Sequence, residues 1–383
     1  MSRPWQQVMG LVFVLTGFLT IRAGEKQNQL NARSFANVMR QAQLGDRRAQ
    51  TQVGIAFAKG EIVERNPSEA VRWFSEAAMA GDPIAQHNLG VRLYLGSGVE
   101  RNLAQAAKWF EAAATAGLPE AQFNAACMYE AGLGVRQNFG RALALFQEAA
   151  RQGHAPAQNN LGRMYQKGEG IAQDFVAAVK WFTKSAEQGY AIGEYDLGVM
   201  YWNGAGVPRD FGKAAYWFQL AAQQGHAGAQ LILGLLYRDG LGVPQEYQSA
   251  VTWLLKAAKQ GNADAQNKLG ILYLEGQGVT ADDERAAIWF SKAAEQGDVH
   301  AQANLAALYN AGRGVPRDLV QAYKWYQLAQ RGDGADHSDQ LRRLANAMSS
   351  DQISDAERMA TEWQPAQNGS SAEGVRSMAD LLE

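Results

Sequence analysis

The residue pattern in this chain that could most readily do chemistry is Gly-x-Gly. It stands in "NGAGVPRD" at 203–210, just after Trp202, and returns in "EAGLGVRQN" at 130–138, "KGEGIAQD" at 167–174, "DGLGVPQE" at 239–246 and "AGRGVPRD" at 311–318. Glycine-rich backbone can cradle a phosphate, but that fingerprint continues as Gly-x-Gly-x-x-Gly or ends in Gly-Lys-Ser/Thr, after a strand. No copy here continues in either way, and no strand is predicted before any of them. A phosphate loop is also needed once per domain, whereas this element recurs. The glycines are therefore expected to supply positive φ in a turn between helices, with the Val or Ile that follows plugging the core.

The other reactive groups are sparse. The five histidines (His87, His154, His226, His300, His337) form no His-x-x-x-His pair, so no zinc-binding helix is expected. There is no Ser-x-x-Lys and no Lys-Thr-Gly, which leaves penicillin-type acyl chemistry without its residues. Cys127 is the one cysteine, so no intramolecular disulfide can form, and it reads as a small apolar filler. A net charge of −2 without a Lys/Arg run excludes an electrostatic footprint for nucleic acid. No catalytic residue, metal or cofactor is expected.

What positions these residues is a repeat. The dipeptide Ala-Gln recurs at Ala49, Ala85, Ala121, Ala157, Ala229, Ala265 and Ala301, with Gly-Glu at Gly193, at a constant step of 36 residues. Such self-similarity is the signature of a solenoid and must be settled before any motif is trusted. With Ala49 as position zero, Gly or Ala stands at +5 and Ala at +21 in all eight copies. Trp stands at +24 in seven: Trp73, Trp109, Trp181, Trp217, Trp253, Trp289 and Trp325, with Leu145 the exception.

Each unit reads as two helices. Gln158, Leu161, Gly162 and Tyr165 form one helical stripe, and Ala214, Trp217, Phe218 and Ala221 a second. Asn or Asp at +17 in seven copies supplies an N-cap for the second helix, and Gly at +32 its stop. The small residue at +5 is expected to let the helices approach, with the +24 tryptophans as structural core filling the space beside it. His154 and His226 share one position at the start of a first helix, which points to a turn role.

The ends differ. Arg3, the run "VMGLVFVLTGFLTI" and Ala23 describe a secretory signal peptide over 1–23, too short for a comfortable span of about 20 apolar residues. An uncleaved membrane anchor is the alternative. Residues 24–44 read as an N-terminal capping helix, 45–332 as the eight repeats, 333–363 as C-terminal capping helices and 364–383 as a disordered tail.

The pattern, clearest in "AQNNLGRMYQKGEGIAQDFVAAVKWFTKSAEQG" at 157–189, resembles the Sel1-like repeat family, a branch of the tetratricopeptide superfamily. The resemblance implies an all-α, right-handed superhelical solenoid of eight helix-turn-helix repeats. It also implies a non-enzymatic adaptor, exported to the periplasm or secreted, that holds a protein or peptide partner on a concave side lined by first helices. In that family positions +2 and +9 face the groove. Tyr94, Phe123, Tyr195, Trp202, Leu231 and Arg238 are the large side chains there and are the candidate partner-binding set, expected to lie exposed. A peptidoglycan-associated spacer is a second reading, as is packing of these rings on the neighbouring repeat. The cysteine-rich, β-lactam-binding subgroup of the family needs paired cysteines that this chain lacks. A monomer is expected. Leu145 for Trp and Ala126 for Gly are expected to loosen repeat three.

Overall fold

Capping and small residues decide where each helix starts and stops. The computed structural model describes residues 32–333 and 336–366, and every regular element in them is an α-helix. The expected signal peptide and most of the expected tail lie outside the described residues. First helices run Arg47–Lys59, Pro83–Leu95, Pro119–Ala131, Ala155–Lys167, Ala191–Asn203, Ala227–Asp239, Ala263–Glu275 and Val299–Ala311. Second helices run Pro67–Met79, Leu103–Thr115, Phe139–Arg151, Phe175–Ala186, Phe211–Gln223, Tyr247–Lys259, Asp283–Glu295 and Leu319–Asp333. The result is an all-α solenoid of eight helix pairs.

The seven Asn or Asp residues at +17 accept the backbone N–H three residues on, at 2.9–3.1 Å. Glu246, the eighth, makes no such bond, because its longer side chain does not fold back to the same N–H. First helices are capped likewise by Asp46, Asp82, Asn262 and Asp298 at 2.7–2.8 Å.

The two glycines of each turn do different work. Gly240 takes φ +69 and closes the Ala227–Asp239 helix through its N–H to the Leu236 carbonyl at 2.8 Å. Gly242, at φ +71, is needed for space as well, since a Cβ there would overlap the Phe211 carbonyl carbon and oxygen at the start of the preceding second helix. The Gly-x-Gly element is thus a turn and an inter-repeat spacer.

The ring beside the +5 glycine is not the expected tryptophan. A Cβ on Gly198 would lie 2.8 Å from the Phe218 ring, and Gly54, Gly90, Gly162 and Gly270 meet Phe74, Phe110, Phe182 and Phe290 in the same way. Leu254 takes this place beside Gly234. The core residue is therefore the aromatic or Leu at +25, wholly buried in these repeats. Trp109, Trp181, Trp217, Trp253 and Trp289 are only half-buried, which corrects their assignment as core. One position along a helix is a 100° turn, enough to move a ring from the helix interface to its rim. Trp73 and Trp325 are buried; Trp325 is covered by Trp363 from the C-terminal helices at 6.1 Å, edge to face. Leu145 and Ala126 are buried too, so repeat three is closed rather than loose.

The Ala-Gln dipeptide also has a structural reason. Each Gln at +1, buried in every copy but Gln86, donates its amide N–H to a carbonyl in the last turn of the preceding helix, for example Gln158 to Ala150 at 3.1 Å and Gln230 to Ala222 at 3.0 Å. That carbonyl also accepts from the N–H of the glycine that ends the helix, Gly153 to Ala150 and Gly225 to Ala222 at 3.1 Å, so the Gln fills its second lone pair. Where +31 is Gln, the Gln oxygen in turn accepts from it: Gln188 to Gln158, Gln260 to Gln230 and Gln296 to Gln266, each at 2.7 Å. In the last repeat +31 is Gly332, and the Gln302 oxygen is left without a partner. The departure at Gly193 is compensated. Ser185 replaces the usual Ala and donates to the Ala155 carbonyl at 2.8 Å, and a Cβ on residue 193 would collide with its Oγ.

The chain divides into two compact units, Met1–Gly193 and Glu194–Glu383. In the first, the Ala32–Gln43 helix packs on repeat one through Phe35 and Ala42, in a cluster with Val53 and Trp73. In the second, the Ser338–Ala345 and Ser350–Glu362 helices close the last repeat, the latter started by a capping box between Ser349 and Gln352. Among the described residues no helix is long and apolar enough to cross a membrane.

Candidate partner-binding surface

Of the six side chains expected to face a partner, four are buried. Tyr94, Phe123, Trp202 and Leu231 are exposed by only 1–7%, and Tyr195 and Arg238 are half-buried. This corrects their expected outward placement. The ring at +2 lies over the +25 ring of its own repeat and under the start of the next first helix. Phe123 meets Phe146 at 5.8 Å and His154 at 5.1 Å; Tyr195 meets Phe218 at 5.6 Å and stacks on His226 at 4.5 Å. At +9, Trp202 stands edge-on to Phe211 at 4.9 Å, and the Arg101 guanidinium lies over the Tyr94 ring at 5.7 Å. Arg238 forks onto Asp239 at 2.7 and 2.8 Å, which holds its pKa above the ordinary value. Tyr195 and Trp202 do share a face, but in a solenoid that face is a repeat interface.

The two histidines at the helix start are N-caps. His154 Nδ1 accepts from the Ala157 N–H at 3.2 Å, and His226 Nδ1 from the Ala229 N–H at 3.1 Å. Burial holds both down to a pKa of about 4. His87, whose Nε2 lies 2.9 Å from the Asn124 amide nitrogen, is held to about 3 by burial, helped by His154. A depressed folded-state pKa means that the unfolded chain takes up the proton first. The stability these rings contribute is therefore complete above the unfolded pKa of about 6.5 and lost as pH falls through about 4 for His154 and His226 and about 3 for His87. For His154 and His226 each full loss is on the order of 3 kcal/mol. His226→Asn, which copies the cap of Asn262, is expected to raise the melting temperature at pH 5 and barely change it at pH 7.5. An equal shift at both pH values would remove His226 from the acid response.

Cys127 is buried, and desolvation pushes its thiol well above the usual range, so it is an inert filler. Among the described residues no group of His, Cys, Asp and Glu is arranged to hold a metal.

The exposed large apolar side chains include Phe175, Val176, Tyr216 and Ile288, all on second helices. In the second unit, Tyr216 is 57% exposed and stands edge-on to the half-buried Trp217 at 5.1 Å. Trp253 and Trp289 hold the Trp217 position in the next two repeats, each under a lysine one turn on, Lys256 at 3.8 Å and Lys292 at 4.6 Å. In the first unit Lys184 covers Trp181 in the same way at 4.3 Å. The signal for this row was the +24 tryptophan itself. Its strict period reads as core, and only the neighbouring Phe shows that it is rim.

A family model described as Sel1 repeat matches residues 47–82, 83–118, 119–154, 155–190, 191–226, 227–262, 263–298 and 299–329. A Sel1 repeat protein of Oxalobacter formigenes is similar at 30% identity over 88% of this chain and 94% of that one, with a TM-score of 0.64. A protective antigen of uropathogenic Escherichia coli with an SLR fold is 28% identical over 97% and 96%, with a TM-score of 0.48. No curated protein matches the chain.

Proposed function

Because the chain belongs to the Sel1 repeat family, we propose that it is a non-enzymatic protein-interaction scaffold whose contact surface is the indole row of its second helices. The observation that carries this reading is Tyr216 beside Trp217, followed at the same repeat position by Trp253 and Trp289 under lysines. Tyr and Trp dominate interface energetics because they bury large area at small entropic cost. A partner segment with apolar side chains for the rings and carboxylates for Lys256 and Lys292 fits this row. The first helices offer less, since no side chain between Pro119 and Ala131 or between Ala227 and Arg238 is exposed.

The test is cross-linking to native partners from a photoreactive residue at position 220, on the same second helix. Tyr216→Ser is expected to lower partner adducts at least tenfold, within the usual range for an interface anchor, with helicity and melting unchanged. Undiminished adducts would move the surface elsewhere.

A further inference from the structure

Between the second helices of repeats seven and eight the packing leaves an open groove. Two adjoining cavities of about 480 and 340 Å³ share Ser291, Leu305 and Tyr309. In repeat three the same place is bridged: Glu111 of the preceding second helix accepts from the Tyr129 hydroxyl at 3.1 Å and from Arg141 at 3.1 Å. A cation attends the equivalent tyrosine in two other repeats, Lys213 over Tyr201 at 5.3 Å and Arg285 over Tyr273 at 5.7 Å. In repeat eight the tyrosine is Tyr309, and Gln321 stands where those repeats have Arg141, Lys213 and Arg285. A carboxylate is still present in Glu295, one turn beyond Ser291 and bonded to it at 3.1 Å. Burial, then Asp318 and Glu295, hold the Tyr309 hydroxyl above its ordinary range, with no cation to offset them as Arg141 offsets Glu111 at Tyr129. Repeats four and six also carry a neutral residue at this place, Ala177 and Ser249. There, however, the positions of Ser291 and Glu295 are held by Gln147 and Arg151, and by Gln219 and Gln223. Repeat eight alone keeps the tyrosine and the carboxylate and lacks the cation.

We propose, resting on the indole row as the contact surface, that this groove seats the guanidinium of an arginine side chain of the partner. The ligand group takes the place that Arg141 fills in repeat three. The walls set three carboxylates, Glu284, Glu295 and Asp318, against Arg317 and Lys324. Both cations are turned to other groups: Arg317 Nε donates to the Asn310 carbonyl at 3.1 Å, and Lys324 lies over the Trp325 ring at 4.2 Å without an ion pair to Glu295. A guanidinium suits the place because it forks onto a carboxylate and stacks on a tyrosine face, which a compact ammonium does less well. The groove is continuous with the row, since the helix that carries Trp289 also supplies Ile288, Ser291 and Glu295. A partner segment that lays apolar groups on the indoles therefore brings its arginine in at the C-terminal end of that helix.

The experiment titrates the full chain with N-acetyl-arginine amide and with N-acetyl-citrulline amide, its neutral isostere, and follows the ligand signals by NMR. The arginine compound is expected to bind about fivefold tighter or more, the value of one exposed cation–π or ion-pair contact. Gln321→Arg supplies the cation from within the chain and is expected to remove that preference. Glu295→Gln, on an exposed side chain, is expected to reduce it as well. Melting curves report the folding of both variants, and should Gln321→Arg not fold, Glu295→Gln carries the test. Equal binding of the two compounds would overturn the proposal, as would a preference that survives substitution. The probe needs no partner, so the two readings fail separately: undiminished adducts in Tyr216→Ser count against the indole row, and absent arginine selectivity against the groove alone.

Discussion

Phe218→Ala is expected to destabilise the chain by about 3–5 kcal/mol, the range for emptying a large buried aromatic site. Its neighbour Trp217→Ala is expected to cost roughly 1–2 kcal/mol, because much of the indole is already in water. The Phe218 ring is wholly buried and lies where a Cβ on Gly198 would touch it, so neither helix can close over the void without rotating. Each repeat of a solenoid contacts only its neighbours, so a loss at one interface cannot be spread over a common core. Urea melts of the two variants, read by helicity, make the comparison. If Trp217→Ala costs as much as Phe218→Ala, the division between core ring and rim ring is wrong.

Gly242→Ala should cost about 3 kcal/mol or more, and Gly225→Ala only about 1–2 kcal/mol. Both glycines have positive φ, +71 and +94, so both alanines carry the same left-handed strain. They differ in surroundings. Nothing lies within 4 Å of a Cβ at Gly225, whereas one at Gly242 overlaps the Phe211 carbonyl. That carbonyl belongs to a helix start already held by the Asp210 cap to the Lys213 N–H at 2.9 Å, so it has little room to retreat. The pair therefore separates the cost of the dihedral from the cost of contact between repeats. Similar losses in the two variants would show that only the turn conformation matters and that the spacer role is mistaken.

Both predictions turn on distinctions that periodicity cannot make. A residue present in every copy is under a constraint common to all copies, and the constraint can be a core contact, a repeat-to-repeat contact or a turn. Trp at +24 and Phe at +25 are both strongly periodic, yet Trp109, Trp181, Trp217, Trp253 and Trp289 are rim and the phenylalanines core. Gln at +1 was legible as a marker of the repeat. Its function as the acceptor and donor that joins one helix end to the next required knowing which helix end lies within its reach. The histidines at 154 and 226 were legible as turn residues because their position alone implied it, while their depressed pKa values follow from the burial that stacking on Phe123 and Tyr195 creates.

Whatever depends on spacing along the chain was determined by the sequence alone: the 36-residue step, two helices per step, seven of the eight second-helix caps, the turn glycines and the want of catalytic or metal-binding patterns. These are local, because a cap or a left-handed turn is completed within four residues. Exposure was decided only in the tertiary structure. A helical wheel assigns each residue a direction but not what lies in that direction, and a first helix here has a second helix on one side and a neighbouring repeat on another. Tyr94, Phe123, Trp202 and Leu231 lie off the stripe that marks the first helix's core and are buried all the same, Phe123 against Phe146 and Trp202 against Phe211 of their own second helices, while Tyr216 and the half-buried Trp217 stand at the rim.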